Sequence, residues 1–186
     1  MEETLTRVFI GITFPDEVIK EIARAQEMMS KEKFTGKLTE LANLHLTLKF
    51  LGEIDEEKVK QVIQKLKEIK FNEFEASLGI MGVFASNKNP RIVWVKINSK
   101  ALWELQEKVD SAMVDIGFEK EERFMGHATL SRIKYVKDKQ KFIENMINIK
   151  IKPLKFKVSE FKLMKSELSQ TGPAYSVIEK FTLANQ

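Results

Sequence analysis

Cysteine is absent from the 186 residues. That excludes disulfides, thiolate nucleophiles and cysteine-ligated metal centres, and it suits a reducing cytoplasm. No apolar run approaches the ~20 residues of a membrane span. The start, Met1-Glu2-Glu3-Thr4, lacks the basic then apolar layout of a signal peptide. The expectation is therefore a cytoplasmic protein with no membrane contact. No Gly-x-Ser-x-Gly elbow is present, which argues against a serine hydrolase. No Gly-x-x-x-x-Gly-Lys-Ser/Thr loop is present, which argues against classical nucleotide hydrolysis. Neither sign of charge dominates. Lys and Arg number 31 against 27 acids, for a net charge of +4, and the sequence pI is about 9.1. This is a modest bias toward an anionic partner. Hydrophobic residues make up 43% of the chain and charged residues 31%, the balance of a globular protein with a substantial core.

Histidine is also scarce, and its placement is informative. The chain has 2, and both stand in the pattern His-x-Thr-Leu: His45-Leu46-Thr47-Leu48 and His127-Ala128-Thr129-Leu130. Successive strand side chains point to opposite faces. Each motif therefore aims an imidazole and a hydroxyl the same way, with apolar residues behind. A lone His in an apolar strand is usually structural. Two copies as the sole histidines favour chemistry, because imidazole gives or takes a proton near neutral pH and a Thr hydroxyl can donate to an anion.

Along the chain, Arg7 to Thr13 alternates as a strand. Pro15 and Asp16 open a helix with Val18, Ile22, Ala25 and Met29 on its buried stripe. Lys31 to Glu40 reads as a loop, and Leu44 to Leu51 is the first motif strand, ended by Gly52. Asp55 caps a second helix. Phe74 to Phe84 is a strand with Gly79 and Gly82 as bulge candidates, and Ser86 to Pro90 is a turn. The pattern then restarts with a strand at Arg91 to Ile97, a helix capped by Ser99 and stopped by Gly117, and a polar loop from Glu119 to Gly126. After the second motif strand come a helix from Asp138, a strand from Leu154 to Lys165, a turn at Ser169 to Pro173 and a last strand from Tyr175 to Leu183.

The order strand, helix, motif strand, helix, strand thus occurs twice. His45 matches His127, 127 − 45 = 82. Phe74 to Ser77 matches Phe156 to Ser159, 156 − 74 = 82, and Arg7 matches Arg91, 91 − 7 = 84. Near-constant spacing signals an internal repeat. No Pro/Gly/Ser-rich linker separates the halves. Residues 1–186 are therefore expected to form one bilobal domain, with repeat halves at roughly 1–90 and 91–186 and the two motifs facing each other across a cleft.

Two facing imidazoles can serve as one general base and one general acid. Displacement at phosphorus needs the attacking and leaving oxygens roughly in line, and a symmetric cleft supplies that geometry without a metal. The Thr hydroxyls would grip the non-bridging oxygens. Metal binding is disfavoured by the absence of Cys, of His-x-His and of an acid inside either motif.

Paired His-x-Thr motifs about eighty residues apart in a duplicated α+β chain resemble the 2H phosphoesterase superfamily. Within it the chain is most similar to the RNA 2′,3′-cyclic phosphodiesterases, historically called 2′-5′ RNA ligases. Supporting stretches are Arg7 to Ile12, His45 to Gly52, Asn89 to Val95, His127 to Arg132, Leu163 to Leu168 and Thr171 to Tyr175. The resemblance implies a duplicated bilobal α+β fold, with pseudo-twofold-related lobes, antiparallel sheets and outer helices around a central cleft. It implies His45 as proton donor, His127 as proton acceptor, Thr47 and Thr129 as phosphate ligands, and no cofactor. The implied partners are RNA with 2′,3′-cyclic phosphate ends, such as tRNA fragments, and a nucleotide in the cleft; a monomer is expected. Arg132 matches a phosphate-balancing Arg of the second motif, yet flat alternation puts it on the face opposite His127. Lys49 falls on the His45 face by the same alternation and is the competing phosphate ligand. Tyr175 is a candidate for stacking a base, whereas Trp94 reads as core. The expected reaction is hydrolysis of the cyclic phosphate to a 2′-phosphomonoester. The alternatives are 2′-5′ ligation of cyclic-phosphate and 5′-hydroxyl ends, or an RNA-binding module without catalysis.

Overall fold

The computed structural model describes residues 5–169 and 172–185. Met1 to Thr4, and Gln170 and Thr171 of the expected turn, lie outside the described residues. In chain order the elements are β1 (Thr6–Thr13), α1 (Asp16–Met29), β2 (Thr35–Leu38), a 3₁₀ turn (Leu41–Asn43), β3 (His45–Ile54), α2 (Glu56–Lys67), β4 (Phe74–Ser86), β5 (Asn89–Asn98), α3 (Lys100–Val114), β6 (His127–Tyr135), α4 (Lys139–Asn148), β7 (Lys155–Val158), β8 (Glu160–Ser169) and β9 (Gly172–Thr182).

Local chemistry accounts for most of these boundaries. Asp55 and Asp138 accept from the backbone N–H of Lys58 and Lys141, capping α2 and α4. Ser99 holds the cap position of α3, but its hydroxyl donates to Glu75 O at 3.0 Å instead. The stripe Val18, Ile22, Ala25, Met29 is buried as expected. The strand expected over Leu154 to Lys165 breaks at Ser159 into β7 and β8. The segment read as a loop before the first motif contains β2, which pairs with β6. Its residues are mostly exposed, so they carry no alternating apolar signal. Gly52 does not end β3. It sits inside the strand at φ +77, where Leu51 has no opposite partner between the pairs Val8↔Gly52 and Phe9↔Phe50.

The strands form one antiparallel sheet in the order β7-β4-β5-β6-β3-β1-β8-β9, with β2 also on β6. The two motif strands meet at one central pair, Leu46↔Ala128. From that seam one lobe runs outward as β3-β1-β8-β9 and the other as β6-β5-β4-β7. Each half therefore contributes strands to the opposite lobe: β4 goes to the His127 lobe, and β8 and β9 to the His45 lobe. The helices cross in the same way, since α1 lies on β6 and α3 on β3.

The seam also locates the pseudo-twofold axis. Leu46 pairs with its own repeat equivalent, 128 − 46 = 82. The pair Glu75↔Lys157 of β4 and β7 obeys the same relation, 157 − 75 = 82. An antiparallel pair of equivalent residues sits on a local twofold, so the axis runs through both points. The strand pairing also corrects one match in the repeat. Gly11 pairs with Thr47, and Trp94 with Thr129. The first strands are thus offset by 94 − 11 = 83, and Val8, not Arg7, is the counterpart of Arg91.

Candidate active site

Both motif strands carry a β-bulge in the same place. On β3, Gly11↔Thr47 is followed by Ile10↔Lys49, so Leu48 is unpaired. On β6, Trp94↔Thr129 is followed by Val93↔Ser131, so Leu130 is unpaired. A bulge inserts one residue and thereby flips the alternation beyond it. Leu48 and Lys49 are both buried, and so are Leu130 and Ser131. The cleft face resumes at Phe50 and at Arg132.

This decides the two residues that flat alternation misplaced. Arg132 stands on the face of His127 and Thr129. Lys49 does not face the cleft, which corrects its expected place beside the phosphate. It is 4% exposed, and its Nζ lies 2.5 Å from Asp110 Oδ1 on α3 and 2.6 Å from Glu119 O. Its repeat position on the other strand is Ser131. The position equivalent to Arg132 is filled by Phe50, which is 65% exposed.

Around the central pair, continuing the register by one residue each way brings His45 toward Thr129 and Thr47 toward His127. Each imidazole is oriented from behind. His45 Nδ1 donates to Asn43 O at 2.7 Å, and His127 Nδ1 donates to Met125 O at 2.7 Å. With Nδ1 carrying the hydrogen, Nε2 is the nitrogen that faces the cleft. His45 Nε2 also lies 3.1 Å from Thr47 Oγ1. Asn43 has a second task, because its Nδ2 donates to Pro173 O at 2.7 Å. This ties the 3₁₀ turn to the start of β9, two residues before Tyr175.

The walls differ between lobes. Phe9 and Tyr175 flank His45, with ring centroids at 4.7 and 5.0 Å. Phe84 and Trp94 flank His127 at 5.2 and 6.4 Å. Trp94 is on the cleft face rather than in the core, and it lies flat over Gly82, where a Cβ would overlap the indole. Burial holds the His45 pKa below the ordinary imidazole value, offset in part by the bond to Asn43 O and reinforced by the charges of Arg132 and His127. Burial pushes the Tyr175 phenol up, and Arg132 and Arg7 act against that shift. Among the described residues no three His, Asp or Glu side chains converge as a metal site. Sequence reasoning missed Phe9, Phe50 and Phe84. Phe9 falls on the cleft face by plain alternation along β1, opposite the buried Val8, Ile10 and Ile12, whereas Phe50 reaches it only through the bulge at Leu48.

A model of the LigT-like phosphoesterase family matches the chain twice, over residues 12–94 and 95–175. An RNA 2′,3′-cyclic phosphodiesterase of Thermotoga maritima is 35% identical, the match covering 92% of each chain. Another, of Methanocaldococcus jannaschii, is 32% identical over 94% of this chain and 99% of its own. A crystal structure of the Thermus thermophilus protein TT0787 superposes with a TM-score of 0.84, at 27% identity and covering 95% and 97% of the two chains. Escherichia coli LigT complexed with 3′-AMP superposes with a TM-score of 0.77, at 25% identity and covering 96% and 98%.

Proposed function

From the premise that this chain belongs to the LigT-like phosphoesterase family, we propose that it is an RNA 2′,3′-cyclic phosphodiesterase that opens the ring by paired acid and base catalysis. The observation that carries this reading is the pair of imidazoles about the seam, each with Nδ1 committed to a carbonyl two residues upstream and Nε2 left for chemistry. Water attacks phosphorus and passes its proton to His127 Nε2. The P–O3′ bond breaks, and O3′ takes a proton from His45 Nε2, leaving a 2′-phosphomonoester. Thr47 and Thr129 donate to the non-bridging oxygens, and Arg132 balances their charge. The bound phosphodiester anion supplies the counter-charge that buried His45 lacks, so the ring holds its proton in the complex and gives it up readily. No step needs a metal or a cofactor.

The 3′-AMP complex of the E. coli relative supports a nucleotide-sized cleft, with the terminal base against Tyr175 or Phe50. We read residues 1–186 as one bilobal unit, since each lobe holds strands of both halves. It would act as a cytoplasmic monomer on RNA fragments, tRNA pieces among them.

The test is incubation with a 2′,3′-cyclic-phosphate oligonucleotide and mapping of the product. A 2′-phosphate is expected, with activity that survives EDTA. A 3′-phosphate would reverse the two histidine roles, and loss in EDTA restored by zinc would end the metal-free mechanism. A 2′-5′ linked product formed from added 5′-hydroxyl RNA would favour ligation.

A further inference from the structure

The two ends of the cleft are not alike, and the difference has a direction. At one end β2 pairs with β6 in the register Lys37↔Arg132, Gly36↔Ile133, Thr35↔Tyr135. Lys134 is unpaired there, a second bulge on the same strand. Lys134 and Tyr135 are both exposed, while Ile133 and Val136 are buried. The exposed face that begins at His127 and Thr129 therefore continues through Arg132 to Lys134 and Tyr135, beside Lys37. Tyr135 is 63% exposed. At the other end, among the described residues, nothing pairs with β3 beyond the seam on that side. A recess of about 610 Å³ opens there between Phe50 and the loop that carries Glu119, Glu121 and Glu122 with Lys120 and Arg123. By the 82-residue repeat, Lys37 corresponds to Glu119, Arg132 to Phe50, and Lys134 to Gly52. One end presents Arg132, Lys134 and Lys37, the last with Glu40 at 3.2 Å, around an open aromatic face, and the equivalent end carries mixed charge.

We infer that single-stranded RNA leading to the cyclic phosphate leaves the cleft over β6 and β2, with a base stacked on Tyr135 and its phosphates beside Lys134, Arg132 and Lys37. The inference rests on the phosphodiesterase reading and adds a subsite upstream of the reacting nucleotide. Its chemistry is that of sequence-tolerant single-strand binding, an aromatic face for stacking within a positive groove. A strand rises about 3.3 Å per residue, and the bulges at Leu130 and Lys134 reduce the six residues from Thr129 to Tyr135 to four pairing steps, so Tyr135 stands about 13 Å from the phosphate site. A bound RNA of several nucleotides spans that distance, whereas a cyclic mononucleotide cannot reach it.

The experiment compares kcat/KM for a 2′,3′-cyclic mononucleotide with that for a cyclic-phosphate-ended RNA of about ten nucleotides, a length within ordinary single-strand site sizes. Tyr135→Ala should lower the ratio of oligonucleotide to mononucleotide kcat/KM by about ten-fold, a typical loss for one stacked base. Lys134→Ala should lower it less, and should reduce the salt dependence of oligonucleotide binding by about one unit in the log–log slope. Glu121→Lys, at the other end, should not lower the ratio. An unchanged ratio in Tyr135→Ala, or a larger fall in Glu121→Lys, would overturn the inference. Fluorescence anisotropy with the same RNA ended in a 2′-phosphate reads the subsite without turnover. Weaker binding by Tyr135→Ala supports the subsite and equal binding refutes it, even if neither substrate is cleaved and the phosphodiesterase reading fails.

Discussion

In the lobe that carries His127, Gln26 on α1 donates from Nε2 to Leu130 O at 2.9 Å and to Thr39 O at 2.8 Å, and Ser131 Oγ donates to Lys37 O at 3.1 Å. In the lobe that carries His45, Asp110 on α3 accepts from Lys49 Nζ and, at 3.0 Å, from Glu121 N, and Lys49 donates to Glu119 O. These are the same places in the repeat. Ser131 corresponds to Lys49, Lys37 to Glu119 and Thr39 to Glu121, each 82 residues apart, and Gln26 corresponds to Asp110, 110 − 26 = 84. One lobe supports its bulge with neutral side chains, the other with a buried ion pair. The reason is volume and polarity together: a serine cannot span to the helix, whereas a lysine can, but only if a carboxylate waits there. Duplication conserved the need to hold the bulged strand against a helix and a preceding segment, not the chemistry that meets it.

The largest expected effects test whether the two imidazoles are as unlike as their walls. His45→Ala and His127→Ala should each lose about 10²–10⁴-fold in kcat with little change in KM. The double variant should fall short of the product of the two losses, because both groups act in one step. A substrate with a p-nitrophenolate leaving group needs no protonation, so it should recover much of the His45→Ala loss and little of the His127→Ala loss. Equal recovery in both would erase the distinction between acid and base.

The ion pair should be more costly to break than its neutral counterpart. Lys49→Met strands Asp110 without its partner and should cost about 3–5 kcal/mol. Ser131→Ala should cost about 1 kcal/mol. Chemical denaturation would measure both, and similar losses would mean that the two supports are energetically equivalent.

Arg132 and Phe50 offer a direct exchange. Arg132→Ala should lower kcat/KM by about ten- to a hundred-fold, the range for a charged hydrogen bond worth about 1.5–3 kcal/mol. Phe50→Arg would give both motif strands a cation at the equivalent point. If Arg132 helps to decide which ring oxygen leaves, that variant should release some 3′-phosphate beside the 2′-phosphate. An unchanged product ratio would assign the choice to the base and ribose instead.

The smallest effect concerns His45 alone. Its folded pKa lies below the value of about 6.5 for free imidazole, so the unfolded chain takes up the proton first as pH falls. The stability that neutral His45 contributes is complete above about pH 6.5 and is lost below it, toward the depressed folded value. His45→Asn should flatten the stability profile in that window. A profile that keeps its slope would place the acid sensitivity elsewhere.

The repeat, the two motifs, the four helix starts and the apolar stripes were legible because they are local. Periodicity, capping residues and identical short patterns survive in one dimension. The faces of Lys49 and Arg132 were not, because the bulges at Leu48 and Leu130 leave no glycine or proline to mark them. Strand β2 was hidden because its pairing partner, not its own pattern, makes it a strand. Tyr175 could be suspected beside Gly172-Pro173, but its place against His45 depends on Asn43 reaching Pro173, a contact between residues 173 − 43 = 130 positions apart.

The amino-acid order alone determined that two imidazole–hydroxyl pairs exist, that they belong to duplicated halves, and that one face of each motif strand is apolar. Side-chain alternation and repeat spacing are properties of neighbouring residues. Tertiary structure decided which charges meet the cleft, which lobe each strand joins, and where the twofold runs. A one-residue bulge inverts a face without changing composition, and strand exchange between the halves is written only in the pairing across the sheet.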